Sequence, residues 1–328
     1  MYLLELAGED DAFASREAAT ACTDVTVLAP GLATARGLTG RVRGLAYTHR
    51  ASDLVGTCAP DVESAVALLE AASIDRTGTV SVRARDVRAT AGVDARAAER
   101  RLGRVLVERG FAVDLDDPDH ELRACFSETA ALGWLAAESV RDFGTRQPTD
   151  KPFFQPGSMD PLLARAVANL AGARPGRRLL DPMCGTGGGL VETGLVGADV
   201  LGVDVQAKMA RGARENLARY LRGTAPVGVP AGEFAVLRGD ATRLPLRADA
   251  VDGVLFDAPY GRQSKVANES LDALVAGALA ETRRLAPRGV LVADRDWTAS
   301  AEAAGWRVPA RFERRVHRSL TRHVHLLA

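Results

Sequence analysis

Lysine is nearly missing from this chain: among 42 basic residues in 328, only Lys151, Lys208 and Lys265 are lysines, and the other 39 are arginines. That bias carries no function by itself. Cysteine is also sparse. Cys22, Cys58, Cys125 and Cys184 show neither paired metal-ligand spacing nor a disulfide framework, so reduced, mostly buried thiols and no metal site are expected. No apolar run is long enough to cross a membrane, and residues 1–6 have none of the basic character of a secretion signal, so a cytoplasmic protein is expected. Net charge is absent too: 42 basic residues face 42 acidic ones, which excludes a uniformly basic nucleic-acid binder and leaves any RNA affinity to local patches or shape. The balance is uneven along the chain. Residues 1–150 hold 17 basic against 24 acidic residues, and residues 151–328 hold 25 against 18.

Chemistry concentrates in the second half. An apolar run ending in Leu255 and Phe256 delivers an acid, a proline-constrained carbonyl and an aromatic ring to one point, as Asp257, Ala258, Pro259 and Tyr260. An exocyclic amine on a flat base is conjugated with its ring and nearly non-nucleophilic. A catalyst must accept hydrogen bonds from both of its N–H groups and turn the lone pair outward. Asp257 offers one acceptor and the Ala258 carbonyl the other; Pro259 biases Ala258 to an extended conformation, and Tyr260 can stack on an extruded base. The same residues also fit a strand ending in a tight turn.

Upstream, the stretch 178–181 runs into Pro182, Met183, Cys184, Gly185, Thr186, Gly187, Gly188 and Gly189 before a helical pattern over 190–196. Such a loop lets backbone approach a ligand closely. A dinucleotide fingerprint wants glycine at the first, third and sixth positions, and counting from Gly185 the sixth is Leu190, which disfavours an NAD site. Strand and helix then alternate: strands at 198–204, 234–237, 251–256 and 289–293, helices at 206–221 and around Leu271, Leu274, Val275, Ala278 and Leu279, and a terminal hairpin over 306–328. This predicts an α/β doubly wound sheet, whose ligands bind beyond the carboxyl ends of its strands. Asp181, Asp204, Asp240 and Asp257 each end one of four successive predicted strands. One aspartate before a turn is ordinary, whereas four at consecutive strand ends point to a shared ligand site.

The segment Asp257 to Tyr260 resembles motif IV, Asp/Asn-Pro-Pro-Tyr, of the amino-group methyltransferases that use S-adenosylmethionine, departing from it at Ala258 in place of the first proline. Asp181, Pro182, Cys184, Gly185 and Gly187 resemble motif I of the same class, and residues 153–161 with the helical pattern after them resemble motif X, although a Pro-initiated helix with a hydrophobic staple fits them as well. The resemblance implies S-adenosylmethionine as cofactor, held by Phe154, Pro156, Asp181, Pro182, Cys184, Gly185, Thr186, Gly187, Asp204, Asp240, Ala241 and Asp257. It also implies Asp257, Ala258, Pro259 and Tyr260 as the catalytic group.

Residues 143–152, glycine- and proline-bearing and polar, read as a linker between 1–142 and 153–328. The first part shows no catalytic constellation. Strands are predicted at 1–6, 25–28 and 41–49, an exposed strand at 78–85, and helices at 61–72 and 95–109. Arg96, Arg100 and Arg104 share a helix face, and Arg83, Arg85 and Arg88 form a second group; a solvated face paired with Glu99 and Glu108 is the alternative to an RNA contact. Ahead of a methyltransferase half, this arrangement resembles a THUMP domain with its N-terminal extension, and the whole chain resembles the archaeal tRNA guanosine-10 N2-methyltransferase family. The resemblance implies a class I methyltransferase fold with a C-terminal β-hairpin behind a THUMP-type RNA-binding domain, and transfer of one and then a second methyl to guanosine N2 of tRNA. It further implies tRNA contacts from Arg83, Arg85, Arg96, Arg100, Arg104, Arg262 and Lys265. No obligate protein partner follows, and a monomer is expected. The loop of Arg262, Gln263, Ser264 and Lys265 suits phosphates but also fits a plain solvated turn. The arginines and histidines of the terminal hairpin, Arg322 and His325 among them, are too scattered for a metal site. Three other readings compete: methylation of a different tRNA or ribosomal RNA guanosine, a DNA amino methyltransferase, and a non-enzymatic RNA-binding scaffold. The DNA enzyme would need a target-recognition insert, whereas the longest motif-free stretch of the catalytic half is 222–232, and a decayed scaffold is disfavoured because every motif acid is present.

Overall fold

Apolar residues gather into separate cores in the two halves of the chain. The structure, a computed structural model describing residues 1–259, 268–318 and 320–328, divides accordingly into Met1–Ser139 and Val140–Ala328.

The first unit holds strands β1 (Tyr2–Leu6), β2 (Cys22–Thr23), β3 (Thr26–Ala29), β4 (Leu32–Ala35), β5 (Gly37–Leu38), β6 (Thr48–Cys58), β7 (Thr79–Asp86), β8 (Ala112–Val113), β9 (His120–Phe126) and β10 (Ala130–Glu138), with helices α1 (Asp11–Ala18), α2 (Val62–Ala71) and α3 (Ala95–Glu108). Eight strands form one sheet in the order β3-β4-β1-β6-β10-β9-β7-β8, antiparallel except where β7 pairs with β9 and β8. Helix α3 starts where the Asp94 carboxylate accepts from the amides of Arg96 and Ala97, and its Ala98, Leu102, Val105 and Leu106 lie on one buried face. That face packs with Leu69, Val80, Leu122, Phe126 and Trp134 into one core.

Two expectations for this unit are corrected. Residues 41–49 do not form one strand: a 3-10 turn spans Gly40–Gly44, and the buried Glu17 carboxylate takes the amides of Ala46 and Tyr47 at 2.7 and 2.6 Å, so extended pairing starts only at Thr48. Strand β7 is not exposed; it lies inside the sheet with Val80, Ser81 and Val82 buried.

The second unit holds α4 (Pro161–Ala171), β11 (Arg178–Asp181), α5 (Gly188–Leu195), β12 (Asp199–Asp204), α6 (Ala207–Tyr220), β13 (Phe234–Arg238), β14 (Gly253–Asp257), α7 (Asn268–Leu285), β15 (Gly289–Ala293), α8 (Thr298–Ala303), β16 (Ala310–His317) and β17 (Leu320–Leu327). Its sheet runs β13-β12-β11-β14-β15-β17-β16, parallel through β15, with β17 antiparallel between β15 and β16. Strands covered on both faces need apolar residues throughout, and β15 is buried at all five positions. The chain moves outward from β11 to β13, then crosses back to β14. The carboxyl ends of β11 and β14 therefore flank the switch point where such sheets open a crevice. No helix among the described residues is long and apolar enough to cross a membrane.

The stretch expected as a linker packs inside this second unit. Short 3-10 turns span Phe143–Arg146 and Pro148–Asp150, and Phe143, Arg146 and Lys151 are buried. The guanidinium groups of Arg141, Arg146 and Arg165 lie 5.1–5.8 Å from the Phe143 ring centre. Arg146 binds Glu192 at 2.7 Å and Asp142 at 2.6 Å, and Arg165 binds Glu192 at 2.7 Å.

Candidate active site

Strand β11 carries Asp181 to the crevice on two fully buried leucines, Leu179 and Leu180. Beyond it the chain turns through Gly185 and Gly187, both left-handed at φ 51° and 76°, before α5 begins. The turn is pinned at each step. Met183 N–H donates to Asp181 Oδ1 at 3.0 Å, Cys184 N–H to the Val203 carbonyl at 2.9 Å, and Gly185 N–H to Asp204 Oδ2 at 3.0 Å. The Thr186 carbonyl accepts from Asn216 on α6 at 2.9 Å. A Cβ on Gly187 would stand 3.2 Å from that of Ala213, while one on Gly185 would meet no atom within 4 Å, so the loop packs tightly behind and opens in front.

That open side is a cavity of about 200 Å³, walled by Asp181, the turn from Met183 to Thr186, Gly188 and Gly189, and by Leu255, Phe256 and Asp257 at the end of β14. Its far wall is the segment from Gln155 to Met159. Asn216 holds this segment by accepting from the Phe153 amide at 2.9 Å and donating to the Phe153 carbonyl at 2.8 Å. The Phe153 ring lies where Gly212 has no side chain: a Cβ there would come within 1.9 Å of Cδ1. At the other end, the Ser158 hydroxyl meets that of Thr186 at 3.3 Å.

Two carboxylates at this end of the sheet, Asp181 and Asp204, have little solvent. Burial pushes the Asp181 carboxyl well above its ordinary value, and the charges of Asp257 and Asp204 add to the push. Burial also raises Asp204, against the amides of Gln206 and Gly185 that its two oxygens accept. Asp240 differs: it is exposed, and its carboxylate is held below its ordinary value by the Thr242 amide and hydroxyl, both bonded to Oδ1. It lies two residues past the end of β13, alongside the end of β12. Thus Pro156, Asp181, Cys184, Gly185, Thr186 and Asp257 line the cavity together. Pro182 and Gly187 are buried behind it, Ala241 belongs to the core beneath, and three residues do not line it: Phe154, 41% exposed, the exposed Asp240 and the buried Asp204.

At the motif ending β14, Ala258 is buried and its N–H donates to the Val292 carbonyl at 2.8 Å, which fixes the peptide next to Asp257. Tyr260, Arg262, Gln263, Ser264 and Lys265 lie outside the described residues. Sequence reasoning missed Arg322. It is 3% exposed on β17, donates to the Gly157 carbonyl at 3.1 Å, and sits 3.6 Å from Asp257 Oδ2, joining the hairpin to the cavity wall and the acid. Its arginine-rich neighbourhood in the sequence disguised the one that turns inward.

In the first unit the two arginine groups differ. Arg83 donates to the Leu115 carbonyl and lies 4.0 Å from Glu121; Arg85 lies 3.9 Å from the buried Glu5; Arg88 makes a two-pronged pair with Asp11. Arg96, Arg100 and Arg104 are exposed, and among the described residues no carboxylate lies within 4 Å of their guanidinium groups. Glu99, the expected partner, accepts instead from the Ala84 amide at 3.0 Å.

Comparison with known proteins places this geometry. Residues 148–323 match the family model described as RMKL-like, methyltransferase domain. The tRNA (guanine(10)-N2)-dimethyltransferase of Methanothermobacter thermautotrophicus is 34% identical over 86% of this chain and 83% of its own length. The protein of the same name from Pyrococcus abyssi is 30% identical over 76% of this chain and 74% of its own. Among solved structures, TrmN from Thermus thermophilus is 26% identical, with a TM-score of 0.50 over 99% of this chain and 98% of that one. With its RMKL-like methyltransferase domain, the chain belongs to the family of the archaeal tRNA (guanine(10)-N2)-dimethyltransferases.

Proposed function

We propose that this protein transfers methyl groups from S-adenosylmethionine to N2 of guanosine at position 10 of tRNA, first once and then again. The observation that carries the chemistry is the placing of Asp257 on the wall of the cavity at the sheet's switch point, with the N–H of the next residue, Ala258, fixed to the Val292 carbonyl. The choice of nucleotide rests on the two archaeal relatives that this chain matches over most of their length.

The cofactor fits the residues present. S-adenosylmethionine bears an ammonium and a sulfonium, and the cavity wall opposes them with the carboxylates of Asp257 and of Asp181, whose burial disfavours its charge until a cation arrives. Open space before Gly185 leaves room for a ligand against the backbone. Asp181 would face the amino group, Asp204 the ribose hydroxyls and Asp240 the adenine amine. When bound, the cofactor supplies an electrophilic methyl on sulfur. The chain's own work is positioning: Asp257 and the Ala258 carbonyl accept from the two N–H groups of the guanine amine and hold its lone pair toward the cavity. Pro259 stiffens the turn, and Tyr260 stacks on the extruded base. Arg322 holds the Asp257 carboxylate in place through their ion pair.

The first unit, of THUMP type, would grip the tRNA through Arg96, Arg100 and Arg104, whose guanidinium groups have no carboxylate within 4 Å among the described residues, with action in the cytoplasm where tRNA is available. Arg83 and Arg85 are already engaged and would contribute less. Incubation with labelled S-adenosylmethionine and, in parallel, unmodified tRNA, ribosomal RNA and duplex DNA tests the substrate class. Label is expected in tRNA alone; label in DNA would refute the reading.

A further inference from the structure

Behind the glycine turn lies a group of buried charges. Arg146, Arg165 and Lys151 are 4%, 1% and 7% exposed, against Glu192 at 1% and the partly buried Asp142. Both Glu192 oxygens are taken by the two arginines, and Asp142 by Arg146, so three cations meet two anions. The unmatched cation is Lys151. Among the described residues its ammonium has no hydrogen-bond or ion-pair partner, although nine-tenths of the residue is out of water. Burial draws it below the ordinary lysine value and Arg146 adds to that, against the attraction of Glu192 and Asp160.

The position of that ammonium is specific. A Cβ on Gly188 would lie 3.0 Å from Lys151 Nζ, and Gly188 lines the cofactor cavity at the first residue of α5. The helix is capped by no side chain, because its N-cap is the left-handed Gly187, so the amides at its positive end are left without a side-chain acceptor. One residue on, a Cβ at Gly189 would lie 3.8 Å from Asp181 Oδ2. Consecutive glycines are thus flanked by a buried cation and a buried anion, the complement of a zwitterion whose ammonium and carboxylate stand on one carbon.

We propose that Lys151, with the amides opening α5, binds the α-carboxylate of the amino-acid end of S-adenosylmethionine, opposite Asp181 at its ammonium. This rests on the cofactor reading given above. It explains why a buried lysine sits beside two arginines, and why residue 188 has no side chain.

Calorimetric titration of the full chain with two ligands tests it: S-adenosylhomocysteine, which carries the carboxylate, and 5′-methylthioadenosine, which lacks the whole amino-acid end. Lys151→Met should weaken S-adenosylhomocysteine by roughly ten- to a hundredfold, as one charge-assisted bond disappears, and leave methylthioadenosine within about twofold. The unliganded variant should melt no lower than the parent, since an unpartnered buried charge has gone. Gly188→Ala, which keeps the lysine but crowds its ammonium, should show the same selectivity in milder form. Equal losses for both ligands, no loss for either, or a variant that melts lower with no ligand selectivity would overturn the assignment. Failure of the parent protein to bind either ligand would instead overturn the cofactor reading beneath it.

Discussion

Substituting Asp257 separates what this carboxylate does for the amine from what it does for Arg322. Asp257→Ala removes one of two acceptors for the reacting group. Removing a single preorganised hydrogen-bonding partner at a reacting centre costs about 2.7–4 kcal/mol, or ~10²–10³ in kcat. The same change takes the carboxylate away from a guanidinium that is 3% exposed and keeps the Gly157 carbonyl. Removing one partner of a fully buried pair costs ~3–5 kcal/mol; with Asp257 a quarter exposed and 3.6 Å away, about 2 kcal/mol is expected. For a unit of this size that lowers Tm by roughly 4–8 °C. Asp257→Asn keeps a carbonyl acceptor for both roles, so kcat should fall only about tenfold, the difference between a charge-assisted and a neutral bond. Single-turnover methyl transfer to tRNA reads the first effect and thermal melting the second. The double variant Asp257→Ala, Arg322→Met should melt above Asp257→Ala alone, because the buried cation has gone with its anion. If Asp257→Ala turns over within about tenfold of the parent, or the two stability losses simply add, the reasoning fails.

Three further outcomes are expected. Asp181 has a carboxyl raised by burial, so ionising it costs the unliganded fold stability as pH climbs from the ordinary carboxylate range through its raised value. Asp181→Asn should therefore raise the unliganded Tm at neutral pH while weakening S-adenosylmethionine, and parent affinity should increase with pH over the same interval; an unchanged affinity in calorimetry would contradict the role. Gly212→Ala would normally favour a helix interior by ~1 kcal/mol, yet here the added Cβ meets the Phe153 ring, so lower Tm and weaker cofactor binding are expected, and a stabilised variant would show that the docked segment does not matter. Replacing Arg96, Arg100 and Arg104 together by Ala should weaken tRNA binding and flatten its salt dependence by about 0.7–0.9 for each phosphate no longer neutralised; an unchanged slope in filter binding would move the grip elsewhere.

Much of the methyltransferase half was legible because a parallel sheet buried on both faces must be written as short apolar runs, and because Asp181, Asp204 and Asp257 end theirs. Glycines at 185 and 187 announced a left-handed turn that other residues adopt at a cost. What stayed hidden depends on long-range packing. Arg322 follows Asp257 by 65 residues and reaches it only because β17 inserts antiparallel beside β15. Residues 143–152 look like a linker by composition, but Phe143, Arg146 and Lys151 sink into a charge cluster on α4 and α5 that no local pattern encodes. Residues 41–49 read as a strand, while Glu17, far back in the sequence, claims the amides of Ala46 and Tyr47.

Product mapping distinguishes N2 methylation of one tRNA guanosine from every other outcome. Unmodified tRNA is methylated with labelled S-adenosylmethionine, digested and resolved by nucleoside and by position. N2-methylguanosine is expected at position 10 at early times and N2,N2-dimethylguanosine there later. Label on another nucleoside, or on a guanosine elsewhere in the tRNA, would contradict the proposed function.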